Sequence, residues 1–268
     1  TIVTDLAYNA DLIKGDAESA DTKPINAQLN LSGSLAQHQL TLDIQNADKQ
    51  DASLGLKTII TGGLNGQYWR GAIQTLTSAD SKTLRLSQPA PMSFSANNGF
   101  LLKDMQLQVA EGRVYLDAFS YHPTSTQANG KAMLTTQGRI QQLPLQVLQT
   151  YLGFNSPHIE QTLTLNGAWQ VAIAEQINGE VTLTRADGDV VLLDALEQTK
   201  QAMGISSLAL SLKAVNNQIS AETKLVSNHA GTAQAKLSTA VTSTKSGIVL
   251  SQQAPLALHA EADLQHLD

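Results

Sequence analysis

The residue types that most often carry chemistry are sparse in this chain, and their spacing does not suit it. Cysteine is absent, which removes thiol chemistry and disulfides. Histidines never stand two apart, as ligands on a strand would, or four apart, as ligands on a helix would. They are His38, His122, His158, His229, His259 and His266. The sequence therefore predicts no metal site.

Carboxylates are present, but their positions favour turns over catalysis. Glu111 and Asp117 could form the carboxylate pair of a glycosidase, yet Glu111 lies in a Glu-Gly turn and nothing in the sequence sets the required separation. Residues 187–189, Asp-Gly-Asp, could belong to a calcium loop, but the further ligands are missing and Asp-Gly is typical of a hairpin turn. No phosphate-binding loop, dinucleotide fingerprint or nucleophile elbow occurs. We therefore predict no catalytic residue and no enzyme.

The two tryptophans, Trp69 and Trp169, are candidates for stacking on sugar rings. Each stands in phase with aliphatic residues of its own segment, Ile73 in the first and Val171 with Ile173 in the second. Side chains in phase on a strand lie on the same face. The favoured interpretation is therefore a position in an apolar core or at the end of a groove.

The elements that hold these residues are mainly strands. Leucine, isoleucine and valine alternate with glutamine, asparagine, serine, threonine and lysine, as in residues 25–32, 208–212 and 256–264. Alternation with period two gives a strand one apolar face and one polar face. Tight-turn signals such as Glu111-Gly112 separate the runs. The sequence predicts an all-β, mainly antiparallel fold whose strands share one apolar face.

One helix is predicted at residues 143–152, where the alternation stops. Pro144 suits the first helical position and Gly153 suits the end. The apolar stripe of this helix consists of Leu145, Leu148 and Leu152. We expect the stripe to pack against or across the apolar face of the sheet.

A second short helix is predicted at residues 194–203. Asp194 and Glu197 resemble a capping box, and Gly204 can end the helix. The role of this insert does not follow from the sequence.

A faint internal echo suggests two related β units. The segment 64–69, Leu-Asn-Gly-Gln-Tyr-Trp, recurs in shortened form as Leu-Asn-Gly-Ala-Trp at 165–169. We expect a first β-groove unit at 1–153, which ends in the predicted helix, and a second at 154–268. A sheet that continues through both units also fits the pattern.

Composition excludes some classes of partner and of protein. A net charge of -6 without any basic run argues against nucleic-acid binding. No apolar stretch approaches the roughly 20 residues that cross a bilayer as a helix. The chain begins at Thr1 without a secretory signal, which we interpret as a piece of a longer protein. Charged residues at 15% and aromatics at 4% make the apolar face mostly aliphatic.

Several strand motifs, taken in their order and spacing over roughly residues 33–190, resemble the TamB family. They are G-x-x-x-x-H-x-L at 33–40, W-R-G-x-I at 69–73, the proline-bearing strand at 84–92, G-x-x-x-x-L-P-L at 138–145, and L-x-G-x-W at 165–169 with G-x-V-x-L-x-R-x-x-G-D at 179–189. The insert at 194–203 has no place in this resemblance.

TamB belongs with the AsmA-like β-groove proteins of the Gram-negative periplasm. The resemblance implies a long curved, U-shaped sheet with a hydrophobic interior and a parent protein anchored in the inner membrane. It also implies transport of phospholipid between inner and outer membranes and a role in envelope assembly, with a TamA-like outer-membrane partner bound through another region. We expect acyl chains as the ligand and no cofactor.

The side chains expected to line the groove share the apolar phase of their strands. They are Leu29, Leu31, Leu40, Leu42, Trp69, Ile73, Leu84, Leu86, Phe94, Leu107, Val109, Leu116, Leu134, Leu165, Val171, Leu183, Leu210 and Leu212. The main alternative is a structural or adhesive β-sandwich or solenoid of a secreted surface protein, whose apolar face closes on itself without lipid. An esterase or glycosidase on a β scaffold is a third interpretation.

Overall fold

A computed structural model describes residues 2–12, 23–46, 55–79, 83–122, 133–152, 159–193, 200–244, 247–250 and 256–264. Strands account for 81% of the described residues, and a single short helix accompanies them. Every strand pair with a defined register is antiparallel. The prediction of an all-β, mainly antiparallel fold is confirmed, and the U-shaped groove stays a prediction.

The chain divides into two compact units, residues 1–110 with 120–123 and residues 111–119 with 124–268. The predicted division at 153–154 is a different one and stays a prediction. Strands of the first unit are β1 Ile2–Leu12, β2 Lys23–Gly33, β3 His38–Asn46, β4 Leu56–Asn65, β5 Tyr68–Ser78, β6 Leu84–Leu86, β7 Ala90–Ser95 and β8 Gly99–Val109.

The first unit is a meander in which consecutive strands pair, apart from β6 and β7. β1 to β5 follow one another in spatial order. β6 and β7 are two pieces of one interrupted strand, because both pair with β5 on one side and with β8 on the other. Sequential antiparallel pairing is what the period-two runs and turn signals predict.

The second unit follows the same principle with one excursion. Its elements are β9 Gly112–His122, β10 Met133–Pro144, α1 Leu145–Leu152, β11 Ile159–Gln161, β12 Thr164–Ile173, β13 Ile177–Asp187, β14 Val190–Leu193, β15 Lys200–Ala202, β16 Ile205–Val215, β17 Gln218–Ser227, β18 Gly231–Thr244, β19 Gly247–Leu250 and β20 Ala257–Leu264. β9, β10, β12, β13, β16, β17 and β18 pair in that order, and β19 and β20 both pair with β18. β11, β14 and β15 form a separate three-stranded sheet.

The predicted helix at 143–152 is present as α1, but it begins later. Leu143 and Pro144 are the last residues of β10 and pair with β12. The amide of Leu145, at the start of the helix, donates to the carbonyl of Leu163 at 2.8 Å. This bond satisfies a helical N–H that has no partner within the helix. The expected packing of Leu148 and Leu152 lies outside the described side chains.

The predicted helix at 194–203 is wrong where the structure describes it. Residues 200–202 form β15, which pairs with β14, and the amide of Met203 donates to the carbonyl of Val190 at 2.8 Å. Pairing with a neighbouring strand therefore overrides the local helical signal. Residues 194–199 lie outside the described part of the chain.

Residues 187–189 do not form the expected hairpin. β13 belongs to the sheet of β9, β10, β12, β13 and β16 to β20, the large sheet, and β14 belongs to the three-stranded one, the small sheet. Gly188, with a φ of 86°, therefore turns the chain from one sheet into the other. A positive φ of this size favours glycine. The excursion returns to the large sheet at Gly204 and Ile205.

Candidate functional site: the apolar face of the strands

In the first unit, register places the predicted lining residues on one face. Directly opposed residues of antiparallel strands point to the same side, and Leu29 lies opposite Leu42 as Leu31 lies opposite Leu40. The row that contains Leu40 continues through Ile60 to Ile73. Predicted residues on this face are Leu29, Leu31, Leu40, Leu42, Trp69, Ile73, Leu84, Leu86, Phe94, Leu107 and Val109.

Local irregularities keep the face continuous where strict alternation would break it. In β8, Leu102 lies opposite Met92 and Leu107 lies opposite Leu86, although 102 and 107 differ in parity. Asp104, with a φ of 51°, lies between them and shifts the phase. Like a β-bulge, a residue in the left-handed region shifts the alternation by one position, so that the leucines on both sides of it point to the same face.

The second unit has an equivalent face. Val181 lies opposite Leu212 and Leu183 lies opposite Leu210. Predicted residues that share this face by register are Leu134, Leu165, Val171, Leu183, Leu210 and Leu212. In β10, Gln142 with a φ of 49° lies at the register shift between Ile140 and Leu143, and so keeps both on the apolar side.

Leu116 is placed by its sequence neighbours. Asp117 accepts a hydrogen bond from Arg139 at 2.8 Å, and the Arg139 guanidinium lies 4.2 Å above the ring of Tyr115. Gly138, the residue before Arg139, belongs to the apolar face, so the side chain of Arg139 points to the polar face. Tyr115 and Asp117 therefore lie on the polar face, and Leu116 between them points to the apolar one.

The apolar face is only partly covered. Leu210 and Leu212 keep 36% and 37% of their surface exposed, and Phe94 keeps 51%. None of the large side chains that the structure describes is completely buried. A closed sandwich core would hide such residues, because protein interiors pack to crystal-like density. Part of the apolar face is therefore left accessible to solvent.

Burial is greatest at the ends of strands, which the sequence did not indicate. Ile177, Ala214 and Val241 form a buried cluster although they lie on β13, β16 and β18. Asn217 joins them, since its Oδ1 accepts from the Ile177 amide at 2.8 Å and its carbonyl accepts from the Val241 amide at 2.9 Å. Strands three apart in a flat sheet are about 14 Å from each other. This end of the sheet therefore curls toward the apolar side.

Trp69 lies on the apolar face, over the backbone of Gly62 and Gly71. A Cβ on Gly62 would come within 2.3 Å of the indole, and one on Gly71 within 2.6 Å. The indole N–H donates to Nε2 of His38 at 2.7 Å. His38 Nδ1 lies 3.1 Å from the carbonyl of Ser34, so the proton on this imidazole belongs on Nδ1.

Trp169 repeats the arrangement in the second unit. A Cβ on Gly138 would come within 2.3 Å of its ring, and its N–H donates to Oγ1 of Thr136 at 3.0 Å. Both tryptophans therefore lie against the strands on the apolar face, with their N–H groups bonded to neighbours on the same face.

The polar face carries a cavity of about 490 Å³ above β16, β17, β18 and β20. Its lining includes Lys213, Glu222, Lys236 and His259. Lys236 pairs with Glu222 at 3.3 Å, and both side chains are more than half exposed. An exposed pair of this kind is worth little energetically. The cavity is a surface depression on the face opposite the candidate site, with two lysines and one glutamate in its lining.

Asp117 and Ser227 are engaged in structural hydrogen bonds. Glu111 is exposed in the turn before β9, and Asp117 is held by Arg139, so the glycosidase pairing has no support. The buried Ser227 hydroxyl bonds to the carbonyl of Met203 and accepts from two backbone amides. The described residues contain no group of three or more side chains that could hold a metal ion.

Asp189 fastens the small sheet to the large one. Its carboxylate accepts hydrogen bonds from the amides of Gly204 at 2.9 Å and Ile205 at 2.8 Å. Desolvation alone would raise the pKa of Asp189, but these amides, that of Val190 and the nearby Arg185 charge outweigh it and lower the pKa. Asp189 is thus a structural carboxylate at the base of the excursion.

Comparison of the chain with protein-family models, with curated proteins and with solved structures found no match. Within the described ranges, no helix has the length and apolar character needed to cross a membrane.

Proposed function

We propose that this chain is a segment of a hydrophobic groove that binds acyl chains and conducts phospholipid between the inner and outer membranes. The observation that carries the proposal is the partial exposure of apolar side chains in register, above all Leu210 and Leu212. Contiguous apolar surface left in water is unfavourable and usually marks a binding surface. An acyl chain laid on this face gains about 0.8 kcal/mol for each methylene removed from water.

The chemistry of the face favours movement along it over tight binding. Its described members are mostly aliphatic, and His38 and Thr136 are occupied by the two indole N–H groups. Aliphatic contacts are not directional, so neighbouring positions along the face hold a chain about equally well. Lipid head groups would stay in solvent.

The wider setting rests on the sequence resemblance. We place the chain in the periplasm, in a parent protein that is anchored in the inner membrane and works with a TamA-like partner through another region. The alternative is a closed β-sandwich or solenoid of a secreted surface protein. It would carry no lipid, and its apolar face would have to be covered by protein.

Lipid content of the purified protein tests the proposal. Leu212→Glu places a charge on the apolar face, whereas Ser211→Glu makes the same charge change on the polar face of the same strand. Mass spectrometry of organic extracts should find acyl lipids with the wild type and with Ser211→Glu, and strongly reduced amounts with Leu212→Glu. Thermal melts should show all three proteins folded, because Leu212 is already partly exposed. Wild-type protein free of lipid, or equal lipid in both variants, would contradict the proposal.

Passage of lipid is tested in the full-length protein. Leu107→Arg and Leu183→Arg each put a charge on the apolar face and should block phospholipid movement without unfolding the protein. Unfolding of both variants would favour the closed sandwich, since an unpaired buried charge costs several kcal/mol.

A further inference from the structure

The two ends of the strands in the first unit differ in charge. At one end, the turns between β2 and β3, β4 and β5, and β7 and β8 contain only uncharged residues, at 34–37, 66–67 and 96–98. At the other end, the connections contain four, three and two charged residues, at 13–22, 47–55 and 79–83. We call the three uncharged turns, with the strand residues beside them, the uncharged rim.

The large hydrophobic side chains that are exposed in the described part of the first unit all lie at this rim. They keep between 41% and 62% of their surface exposed, and they are Leu35, Leu64, Tyr68, Phe94 and Tyr121. A single exposed hydrophobic residue needs no explanation, but a cluster at one end of a sheet marks an interaction surface.

Hydrogen bonds and register join the first four of these side chains. The amide of Leu64 donates to the carbonyl of Leu35 at 2.8 Å, which ties the first uncharged turn to the second. Tyr68 lies opposite Ser95, the residue that precedes the third turn and follows Phe94.

β9 adds Tyr121 to the same surface. The next residue, His122, has its Nδ1 atom 3.1 Å from the carbonyl of Asn98 in the third turn. The rim is therefore one contiguous surface of the first unit.

The rim is apolar on both sides of the sheet, so it is more than the end of the apolar face. Leu64 and Phe94 lie opposite Trp69, on the apolar side. Tyr68, the residue before Trp69, points to the other side. Arg70 is exposed on the same side as Tyr68, two positions further along β5. A positive charge therefore lies behind the tyrosine, toward the middle of the strand.

We propose that the uncharged rim is a contact surface for a phospholipid bilayer. Tyrosine and tryptophan concentrate where acyl chains meet head groups, because their rings are apolar and their polar tips stay wet. Arg70 can reach head-group phosphates when Tyr68 enters that boundary. A protein interface surrounds its apolar centre with a polar rim, and the three turns offer no charged side chain for such pairing.

This inference deepens the proposed function and rests on it for the use made of the contact. Phe94 belongs both to the rim and to the apolar face, so an acyl chain that leaves the bilayer at the rim meets the face directly. Binding of the rim to a bilayer is measured separately from lipid on the face.

Single-cysteine labelling tests the contact, because the chain has no cysteine of its own. An environment-sensitive fluorophore is attached to Gln67→Cys, directly before β5 at the rim. The control carries it on Ala79→Cys, directly after β5 at the opposite end, and both positions are exposed. Vesicles of phosphatidylcholine should shift the emission of the label at 67 to the blue and leave that of the label at 79 unchanged.

Vesicle flotation measures what the side chains contribute. The double variant Leu35→Ser with Tyr68→Ser changes two exposed residues outside the predicted lining, and its partition onto the same vesicles should fall about tenfold, since binding scales with the apolar area that enters the interface. The matched control is Val215→Ser in the second unit, where the side chain is 48% exposed against 47% for Tyr68. It should partition as the wild type does.

Equal emission shifts at 67 and 79, equal partition of the double variant and the control, or no binding to vesicles would overturn the proposal. So would a shift at 67 that grows with protein concentration without vesicles, because the occupant would then be a second copy. The lipid content of the purified protein decides the proposed function separately. Lipid that Leu212→Glu removes, in a protein whose rim ignores vesicles, would support the groove and reject this inference.

Discussion

Glycines beneath the two indoles explain why single tryptophans can lie flat on the apolar face. Gly62→Ala would place a Cβ 2.3 Å from the Trp69 ring and 2.7 Å from the Arg70 carbonyl, so the indole must move. We expect a loss of about 2 kcal/mol in the free energy of unfolding, as for other overpacked sites. Urea denaturation followed by tryptophan fluorescence, in a Trp169→Phe background, measures both the stability and the environment of Trp69.

Gly66→Ala is the control for that substitution. A Cβ at Gly66 would meet nothing within 4 Å, but the φ of 64° strains any other residue. It should cost only about 1 kcal/mol and leave the emission maximum of Trp69 unchanged. A Gly62→Ala protein whose stability and emission match the wild type would show that the ring does not cover this glycine.

The lowered pKa of Asp189 predicts that the folded protein loses stability as the pH falls. Its pKa is lower in the folded protein, so its stabilisation is complete above the unfolded value and is lost as pH falls through the folded one. Asp189→Asn keeps one acceptor oxygen, and we expect it to cost on the order of 1 kcal/mol at neutral pH. The difference in unfolding free energy between wild type and variant should shrink as the solution is acidified.

Asp187→Asn controls for general charge effects. That carboxylate is 87% exposed and lies 3.9 Å from Arg185. Its substitution should change stability little at any pH, since an exposed pair contributes at most about 1 kcal/mol. If the difference in unfolding free energy between the wild type and Asp189→Asn did not shrink in acid, the ionised carboxylate of Asp189 would not be what holds the two sheets together.

Alternation in the sequence predicted which side chains share a face, and this worked residue by residue. Trp69, Phe94 and Leu183 lie with their aliphatic neighbours because period two is a property of the extended backbone itself. Whether these residues line a lipid groove stays a prediction. The phase shifts at Asp104 and Gln142 could not be predicted, since aspartate is enriched at positive φ but occurs far more often at negative φ, and glutamine has no such enrichment.

At the scale of elements, local signals worked where no neighbouring strand competed. The segment 145–152 is helical as expected, while 200–202 became a strand although the preceding residues carry a capping pattern. Hydrogen bonds from β14 decided the second case, and the capping pattern gives no sign of that pairing. For the same reason Asp-Gly at 187–188 turns the chain between sheets instead of closing a hairpin.

Strand interiors and strand ends should differ in their tolerance of a polar residue. Leu165, beside the β10–α1 junction, is 4% exposed, whereas Leu212 is 37% exposed on the same apolar face. Leu165→Gln should cost about 3 kcal/mol, the range for losing a buried leucine. Leu212→Gln should cost less than about 1 kcal/mol, as partly exposed substitutions usually do. Chemical denaturation of the two variants measures the contrast, and equal large losses would mean that the face is closed.

At the scale of the whole chain, composition predicted an aliphatic, weakly charged protein but not how far its apolar face is covered. Coverage depends on where strands curl, and at Ile177, Ala214 and Val241 the strand ends are joined by hydrogen bonds to one asparagine, Asn217. That asparagine looks like any hairpin turn residue in the sequence. The buried strand ends were missed for this reason.

The central claim is that lipid lies on the apolar face, and photocrosslinking in the full-length protein tests it most directly. A benzophenone amino acid replaces Leu212 in one variant and Lys213, its neighbour on the polar face, in the other. Irradiation of cells grown with labelled phosphate should attach labelled phospholipid at 212 and not at 213. Absence of label at 212, or equal label at both positions, would contradict the account.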